Sequence, residues 1–268
     1  RNEGMDPKHN PEFTTVEMYQ AYADFHTMMD IAEGILAGAA KEINGSYQVG
    51  WMGEQIDLTP GWRRLTMVDA VKEYVGVDFG AITDDAEAVA AAKAVGVELA
   101  DAAEKTWGNA LYACFDQKVE EKLIQPTFIT MYPVEVSPLT KRSPADPRLT
   151  ERFELFICHS ELANAYSELN DPIDQRERFK AQDAAAAAGD HHRLGTGKVS
   201  HDQAGLGFFQ HGAAGHADDQ VIGILTFLAG AAAIFAIGGG ILALIAEVHQ
   251  GGQVGVRLEH DIAAAAAI

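Results

Sequence analysis

The spacing of apolar residues along the chain alternates between a period of two and a period of three to four. This alternation limits the folds that the chain can adopt. Alternation with a period of two predicts β-strands, whereas apolar residues recurring every three to four positions predict helices. The predicted strands are 13–22, 125–129, 153–157 and 163–168. The predicted helices are 22–43, 65–74 with Thr66 as N-cap, 84–103 with a break at Gly96, and 107–123. Because both kinds of element are mixed along residues 1–190, we expect a sheet flanked by helices.

The charge and the cysteines restrict the class of protein. A net charge of −19 over 268 residues argues against a stand-alone nucleic-acid module, which normally presents a basic patch. It is compatible with an RNA substrate held mainly by another domain. Cys114 and Cys158 form neither a disulfide framework nor a metal-type pair, so we expect a reducing, cytoplasmic setting. An early apolar run is lacking, which predicts no N-terminal signal peptide.

The composition changes after Asp190. Seven of the ten histidines follow that residue, and proline does not occur after Pro172. Residues 221–246 carry no charge and as a helix would be roughly 39 Å long, enough to cross a bilayer. Glycines at 238–240 disfavour an isolated helix. Three interpretations stay open for this run: a membrane span, a buried hairpin of the same domain, or a tail that is not the native continuation.

The first thirteen residues combine groups that suit a nucleotide. A guanidinium binds phosphate oxygens in bidentate fashion, so Arg1 is a candidate for an α-phosphate. Phe13 can stack on a base, and Glu3 can accept from its exocyclic amine. His9 can reach a terminal phosphate. The alternative is a polar turn before an edge strand, with Phe13 in the core.

The strand that follows carries a carboxylate between aromatic rings. Period-two alternation puts Glu17 and Tyr19 on the same face as Phe13. An ammonium group requires both a charge partner and an aromatic wall, so this face suits an ammonium ligand. A solvated strand face is the alternative.

Two later predicted strands carry a second group of acids. Glu154 and Glu161 lie seven residues apart on adjoining strands and can converge on a divalent cation, with oxygen ligands that suit Mg²⁺ held mostly through phosphates. The alternative is that they form structural ion pairs with Arg152 or Arg148. On the second of these strands, one face carries Asn164, Tyr166 and Glu168.

Together these segments resemble bacterial lysyl-tRNA synthetases, which are class II aminoacyl-tRNA synthetases. Residues 1–13 look like motif 2, and residues 11–24 are similar to the family's lysine-site strand. Further signatures are 123–129, 133–139 and 167–172. The resemblance covers residues 1–190 and implies an α+β fold, an antiparallel catalytic sheet flanked by helices. It also implies a helical insertion at about 75–122 and leaves residues 191–268 as an atypical tail.

The resemblance also implies a function. Such enzymes form lysyl-adenylate from lysine and ATP with Mg²⁺, then transfer lysine to tRNA(Lys), as cytoplasmic homodimers. Carried over by position, the ATP ligands would be Arg1 for the α-phosphate, Glu3 and Phe13 for adenine, and His9 for the outer phosphates. The lysine ligands would be Glu17, Tyr19, Asn164, Tyr166 and Glu168, with Glu17 or Glu168 as the ammonium partner. Mg²⁺ would be held by Glu154 and Glu161.

The sequence departs from the family pattern in places. Cys158, His159 and Ser160 stand where the family has a Gly-Arg pair. We recognise neither motif 1, nor the anticodon-binding domain, nor the arginine of motif 3. Arg257 is the residue whose sequence context is most similar to that of the motif 3 arginine. We therefore expect an incomplete site and no lysine-dependent ATP–pyrophosphate exchange from this chain alone. The alternatives are a paralogue that transfers lysine to a protein or lipid, and a non-catalytic, membrane-tethered fragment.

Overall fold

The computed structural model describes residues 15–99, 105–187, 222–227, 243–248 and 254–259; for 182–187 and the last three ranges the description is limited to the backbone. Six strands form the main sheet in the order β1-β8-β7-β6-β5-β4. Their bounds are β1 Val16–Ala21, β4 Arg63–Thr66, β5 Thr127–Thr130, β6 Arg152–Ile157, β7 Ser160–Ser167 and β8 Ile222–Phe227. Neighbouring strands are antiparallel except β4 and β5, which are parallel. The predicted α+β fold with an antiparallel sheet is confirmed.

Five helices accompany the sheet in the described residues. They are α1 Phe25–Asn44, α2 Met67–Val75, α3 Asp85–Ala94, α4 Trp107–Lys118 and α5 Pro172–Ala187, with 3-10 turns at Glu120–Lys122 and Val134–Val136. The first four begin at a side chain that caps the backbone: Asp24, Thr66, Asp84 and Thr106. Such a side chain satisfies a backbone N–H that the helix itself leaves unpaired. The predicted N-cap at Thr66 is confirmed, with Asp69 N donating to its Oγ1 at 3.1 Å.

The two faces of the sheet are covered by different helices. Phe153, Leu155 and Ile157 of β6 pack in the core that contains α1. Phe156 packs in the second core, with residues of α2, α3 and α4. Because side chains alternate along a strand, Glu154 lies on the same face as Phe156. This second face carries the candidate site.

Several predicted boundaries move for physical reasons. The predicted strand 125–129 begins at Thr127, and Gln125 instead uses its amide to bond the backbone of Gln55 and Asp57. The helix predicted over 84–103 ends at Ala94, before Gly96 with a φ of 73°. Residues 100–104 lie outside the described part.

Two small antiparallel sheets were not predicted. Strands β2 Gln48–Trp51 and β3 Glu54–Asp57 form a hairpin, and β9 Ala243–Val248 pairs with β10 Val254–Glu259. Edge strand β4 was also missed, because its four residues are too short for a periodic signal.

The uncharged run 221–246 has a strand at each end in this structure. β8 lies between β1 and β7, which agrees with a segment that belongs to the same domain as the sheet. The described residues contain no helix of sufficient length and apolar character to span a membrane. A single helix through 221–246 is therefore wrong for 222–227 and 243–248, while 228–242 lies outside the description. The domain boundary at residue 190 stays a prediction.

Candidate functional site

Strands β1 and β7 align their polar residues in two rows across the sheet. Glu17 and Asn164 are both register partners of Thr226 on the intervening strand β8. Tyr19 and Tyr166 are likewise both partners of Ile224. Residues that pair directly across strands lie on the same face. The fold thus brings the two predicted groups of lysine-site residues together, one strand apart.

The β1 end of this face is open. The Tyr19 hydroxyl donates to Glu17 Oε2 at 3.1 Å, and Tyr19 is 55% exposed. Partial burial, followed by the charge of Glu17, raises the pKa of the Tyr19 phenol. A carboxylate and a ring held together at an accessible edge can receive a cationic group.

Glu168 lies next to this pair, directly after β7. The charge of Glu168 contributes to the raised pKa of Tyr166 and of Tyr19, after burial of each ring. Its Oε2 atom is buried and accepts no hydrogen bond from the described residues. Burial raises the pKa of the Glu168 carboxyl to about 7. A buried carboxylate oxygen that accepts no hydrogen bond is stabilised most by a ligand with a positively charged donor.

Both carboxylate oxygens of Glu154 accept hydrogen bonds. Its Oε2 accepts from the Tyr132 hydroxyl at 2.7 Å, and its Oε1 accepts from Arg152 Nη2 at 2.5 Å and Asn164 Nδ2 at 3.3 Å. The ion pair with Arg152 is the structural alternative considered for this residue, and it is present. Burial and the charge of Glu154 both raise the pKa of the Tyr132 hydroxyl.

A β-bulge moves Glu161 onto the face of Glu154. The β6–β7 register shifts between Leu155 and Phe156, so that Leu155 pairs with Ala163 and Phe156 with Glu161. Leu162 and Ala163 consequently both pack toward α1, and Glu161 lies beside Phe156. Strict alternation would have placed Glu161 on the opposite face.

The two acids then influence each other. Burial, and next the charge of Glu154, raise the pKa of the Glu161 carboxyl to about 8, while Arg152 and a hydrogen bond from Asn164 oppose the shift. Two buried carboxylates that repel each other form a donor set that a divalent cation would stabilise. The described residues contain no group of three His, Cys, Asp or Glu side chains able to hold a metal. The pair fits a cation carried mainly by phosphate oxygens.

Not every predicted site residue can be placed. Arg1, Glu3, His9 and Phe13 lie outside the described residues. Arg152 was expected only as an ion-pair partner, and Tyr132 was not expected at the site. The sequence contained no signal for Tyr132, because its contact with Glu154 depends on pairing between β5 and β6.

The turn that joins β6 to β7 is the local departure from the family pattern. Ile157 pairs with Ser160, which leaves Cys158 and His159 as a two-residue loop with φ values of 49° and 58°. Such a loop favours Asn-Gly, because both positions need positive φ. The turn is anchored by backbone bonds from Cys158 N to Ile124 O and from His159 N to Leu123 O, each 2.9 Å.

Comparison with known proteins identifies relatives of this chain. The family described as "tRNA synthetases class II (D, K and N)" matches residues 1–226. A lysine–tRNA ligase of Staphylococcus haemolyticus is 55% identical over 189 residues, which are 70% of this chain and 38% of that protein. The Thermoanaerobacter enzyme of the same name is 53% identical over 190 residues, with 71% and 38% covered. That of Nostoc is 54% identical over 190 residues, with 71% and 34% covered. The chain thus spans less than two fifths of the length of these relatives.

Proposed function

The chain belongs to the class II tRNA synthetases (D, K and N), and from this membership we propose that it carries part of the catalytic site of a lysine–tRNA ligase. Three relatives that bear this name are 53–55% identical to it over 70–71% of its length. The proposed reaction activates lysine with ATP and then passes lysine to tRNA(Lys).

The lysine site is proposed on the face shared by β1 and β7. Glu17, Tyr19, Asn164, Tyr166 and Glu168 would line it. The observation that carries this assignment is the buried Glu168 oxygen without a hydrogen bond from the described residues, beside two tyrosines. A lysine ammonium would supply the missing charge and donor. Glu17 remains the alternative ammonium partner, since it lies in the same row as Asn164.

The ATP ligands are proposed by resemblance. Arg1 would bind the α-phosphate, Glu3 and Phe13 the adenine, and His9 the outer phosphates. Glu154 and Glu161 would hold Mg²⁺, which supplies neutralisation of phosphate charge when bound. Burial and, next, the charge of Glu154 raise the pKa of the Glu161 carboxyl to about 8, and this supports a cation there.

Catalysis in this proposal consists of positioning and charge stabilisation. The substrate carboxylate attacks the α-phosphate and pyrophosphate leaves as the α–β bond breaks, so the chain needs no nucleophile of its own. Glu168 or Glu17 orients lysine through its ammonium, and Arg1 stabilises the charge that develops on the phosphate. Transfer to tRNA, assembly as a homodimer and a cytoplasmic location belong to the same proposal.

Calorimetric titration of the purified chain with lysine tests the proposed site. Norleucine lacks the ε-ammonium, so we expect it to bind at least about tenfold more weakly than lysine. This factor corresponds to the free energy of one hydrogen bond to a charged group. Glu168→Gln should remove this preference. The control Glu42→Gln changes an exposed acid on α1 and should preserve it.

Equal binding of lysine and norleucine would contradict the proposal. So would a preference for lysine that survives both Glu168→Gln and Glu17→Gln. Each variant isolates one carboxylate, so the pair also decides which of the two receives the ammonium.

A further inference from the structure

The guanidinium of Arg152 joins the two halves of the site. Its Nε donates to Asn164 Oδ1 at 3.2 Å and its Nη2 donates to Glu154 Oε1 at 2.5 Å. Its Nη1 donates to Val136 O at 2.9 Å and to Ser137 Oγ at 3.1 Å. The side chain is only 18% exposed. One planar group therefore ties the lysine-site strand, the acid pair and the loop after β5 together.

These contacts fix the orientation of the Asn164 side chain. An arginine carries donors only, so the amide oxygen of Asn164 must be the atom that faces it. The amide nitrogen then points the other way, toward Glu154 Oε1 at 3.3 Å and toward Glu161. A flipped amide would bring its NH₂ against the guanidinium and its oxygen against the carboxylates. Both contacts would be repulsive.

Lysine could not replace arginine here. The guanidinium lies over the Tyr132 ring, 4.7 Å from its centroid, and its flat fork reaches three directions at once. An ammonium is a point charge on a flexible stem and lacks this geometry. Arg152→Lys thus keeps the charge and loses the simultaneous contacts.

We propose that Arg152 is a positioning residue for the lysine site, acting through the orientation of the Asn164 amide. Arg152 itself would not touch lysine. The inference rests on the proposed function, because it assumes that Asn164 lines the lysine site. Its structural part, the orientation of the amide, is independent of any ligand.

A double-mutant cycle on the full chain tests the proposal. Arg152→Lys should weaken lysine binding by about tenfold or more in calorimetry, the worth of a hydrogen bond to a charged group. In the Asn164→Ala background the same change should cost less than about twofold, because the group through which Arg152 acts is gone. An equal loss in both backgrounds would overturn the proposal.

Arg178→Lys is the matched control. Arg178 is a buried arginine whose Nη1 donates to Ser137 O at 3.0 Å and Thr140 O at 2.7 Å, so it secures the same loop without a hydrogen bond to Asn164. We expect less than about a threefold effect on lysine affinity. If this variant weakens binding as much as Arg152→Lys, Arg152 acts only by supporting the loop, and the proposal is wrong.

A spectroscopic readout separates this proposal from the proposed function. In ¹⁵N–¹H spectra without lysine, Arg152→Lys should shift or broaden the Asn164 side-chain amide pair, and Arg178→Lys should not. Should Arg152→Lys fail to fold, the Arg152 Nε–H signal of the wild-type chain serves instead, and Asn164→Ala should shift it. Signals unmoved by these changes would overturn the positioning role. Failure of the wild type to bind lysine would overturn the proposed lysine site and the role of Arg152 there, whereas the orientation of the Asn164 amide is tested by the spectra alone.

Discussion

Glu154 and Glu168 are two carboxylates of the same site that meet opposite surroundings. Glu154 accepts hydrogen bonds from Tyr132, Arg152 and Asn164. Glu168 has a buried oxygen that accepts none from the described residues, and its pKa is raised to about 7. Burial of a charge is unfavourable unless partners compensate it. The protein's own donors therefore hold the first acid in place before any cation binds, and the second has a buried oxygen left for a ligand.

The largest expected effect comes from removing the satisfied acid. Glu154→Ala would leave the Arg152 guanidinium buried without its ion-pair partner, so the free energy of unfolding should fall by about 3 kcal/mol. Urea denaturation followed by circular dichroism measures this change. The control Glu73→Ala breaks the exposed pair with Arg63 and should cost less than about 1 kcal/mol. Similar losses in the two variants would remove the distinction between a framework acid and a surface acid.

Replacing the unsatisfied acid should have the opposite sign. The pKa of Glu168 is about 7 in the fold against an ordinary 4.5, so the folded chain binds its proton more tightly than the unfolded chain. Stability of the wild type should therefore fall as the pH rises from about 4.5 to about 7. Glu168→Gln lacks this fall and should be more stable by about 1 kcal/mol above pH 7, allowing for partial solvent exposure.

Urea denaturation at pH 5 and pH 8 checks this prediction. The stability difference between Glu168→Gln and the wild type should be small at the lower pH and clear at the higher pH. A variant that is less stable than the wild type at pH 8 would mean that Glu168 has a structural partner after all.

The turn between β6 and β7 offers a smaller test. His159→Gly puts a residue that favours positive φ at the second position of the two-residue loop, and should stabilise the chain by about 1 kcal/mol. The turn lies away from both acids, so lysine affinity should stay within about twofold. The unfolding free energy and calorimetry measure the two quantities. A large change in lysine affinity would show that the turn takes part in the site. The contrast between Glu154 and Glu168 would then be insufficient to explain binding.

Much of the fold could be predicted from the sequence because local signals were strong. Thr66 marked the start of α2, and the alternation over 153–157 marked the strand that forms β6. The hairpin of β2 and β3 was not predicted, because each strand has only four residues. Short elements are set by the sheet and helix around them more than by their own pattern.

The site was less accessible to sequence reasoning, because it depends on register. Glu161 reaches the face of Glu154 only through the bulge at Leu162, which alternation does not reveal. The network around Arg152 joins β6, β7 and the loop at Val136 and Ser137, and these contacts exist only once the strands are paired. Residue type indicated an acid pair, and strand pairing decided what each acid contacts.

The pH dependence of lysine binding tests the central claim most directly. Only the ionised Glu168 carboxylate pairs with an ammonium, so lysine affinity of the wild-type chain should rise with pH and level off above about pH 7. Calorimetry across that range, with Glu168→Gln as the comparison, provides the measurement. A rise that is absent in the variant is the predicted result. A wild-type affinity that does not change with pH, or a variant that follows the same curve, would contradict the assignment of Glu168 to the lysine ammonium.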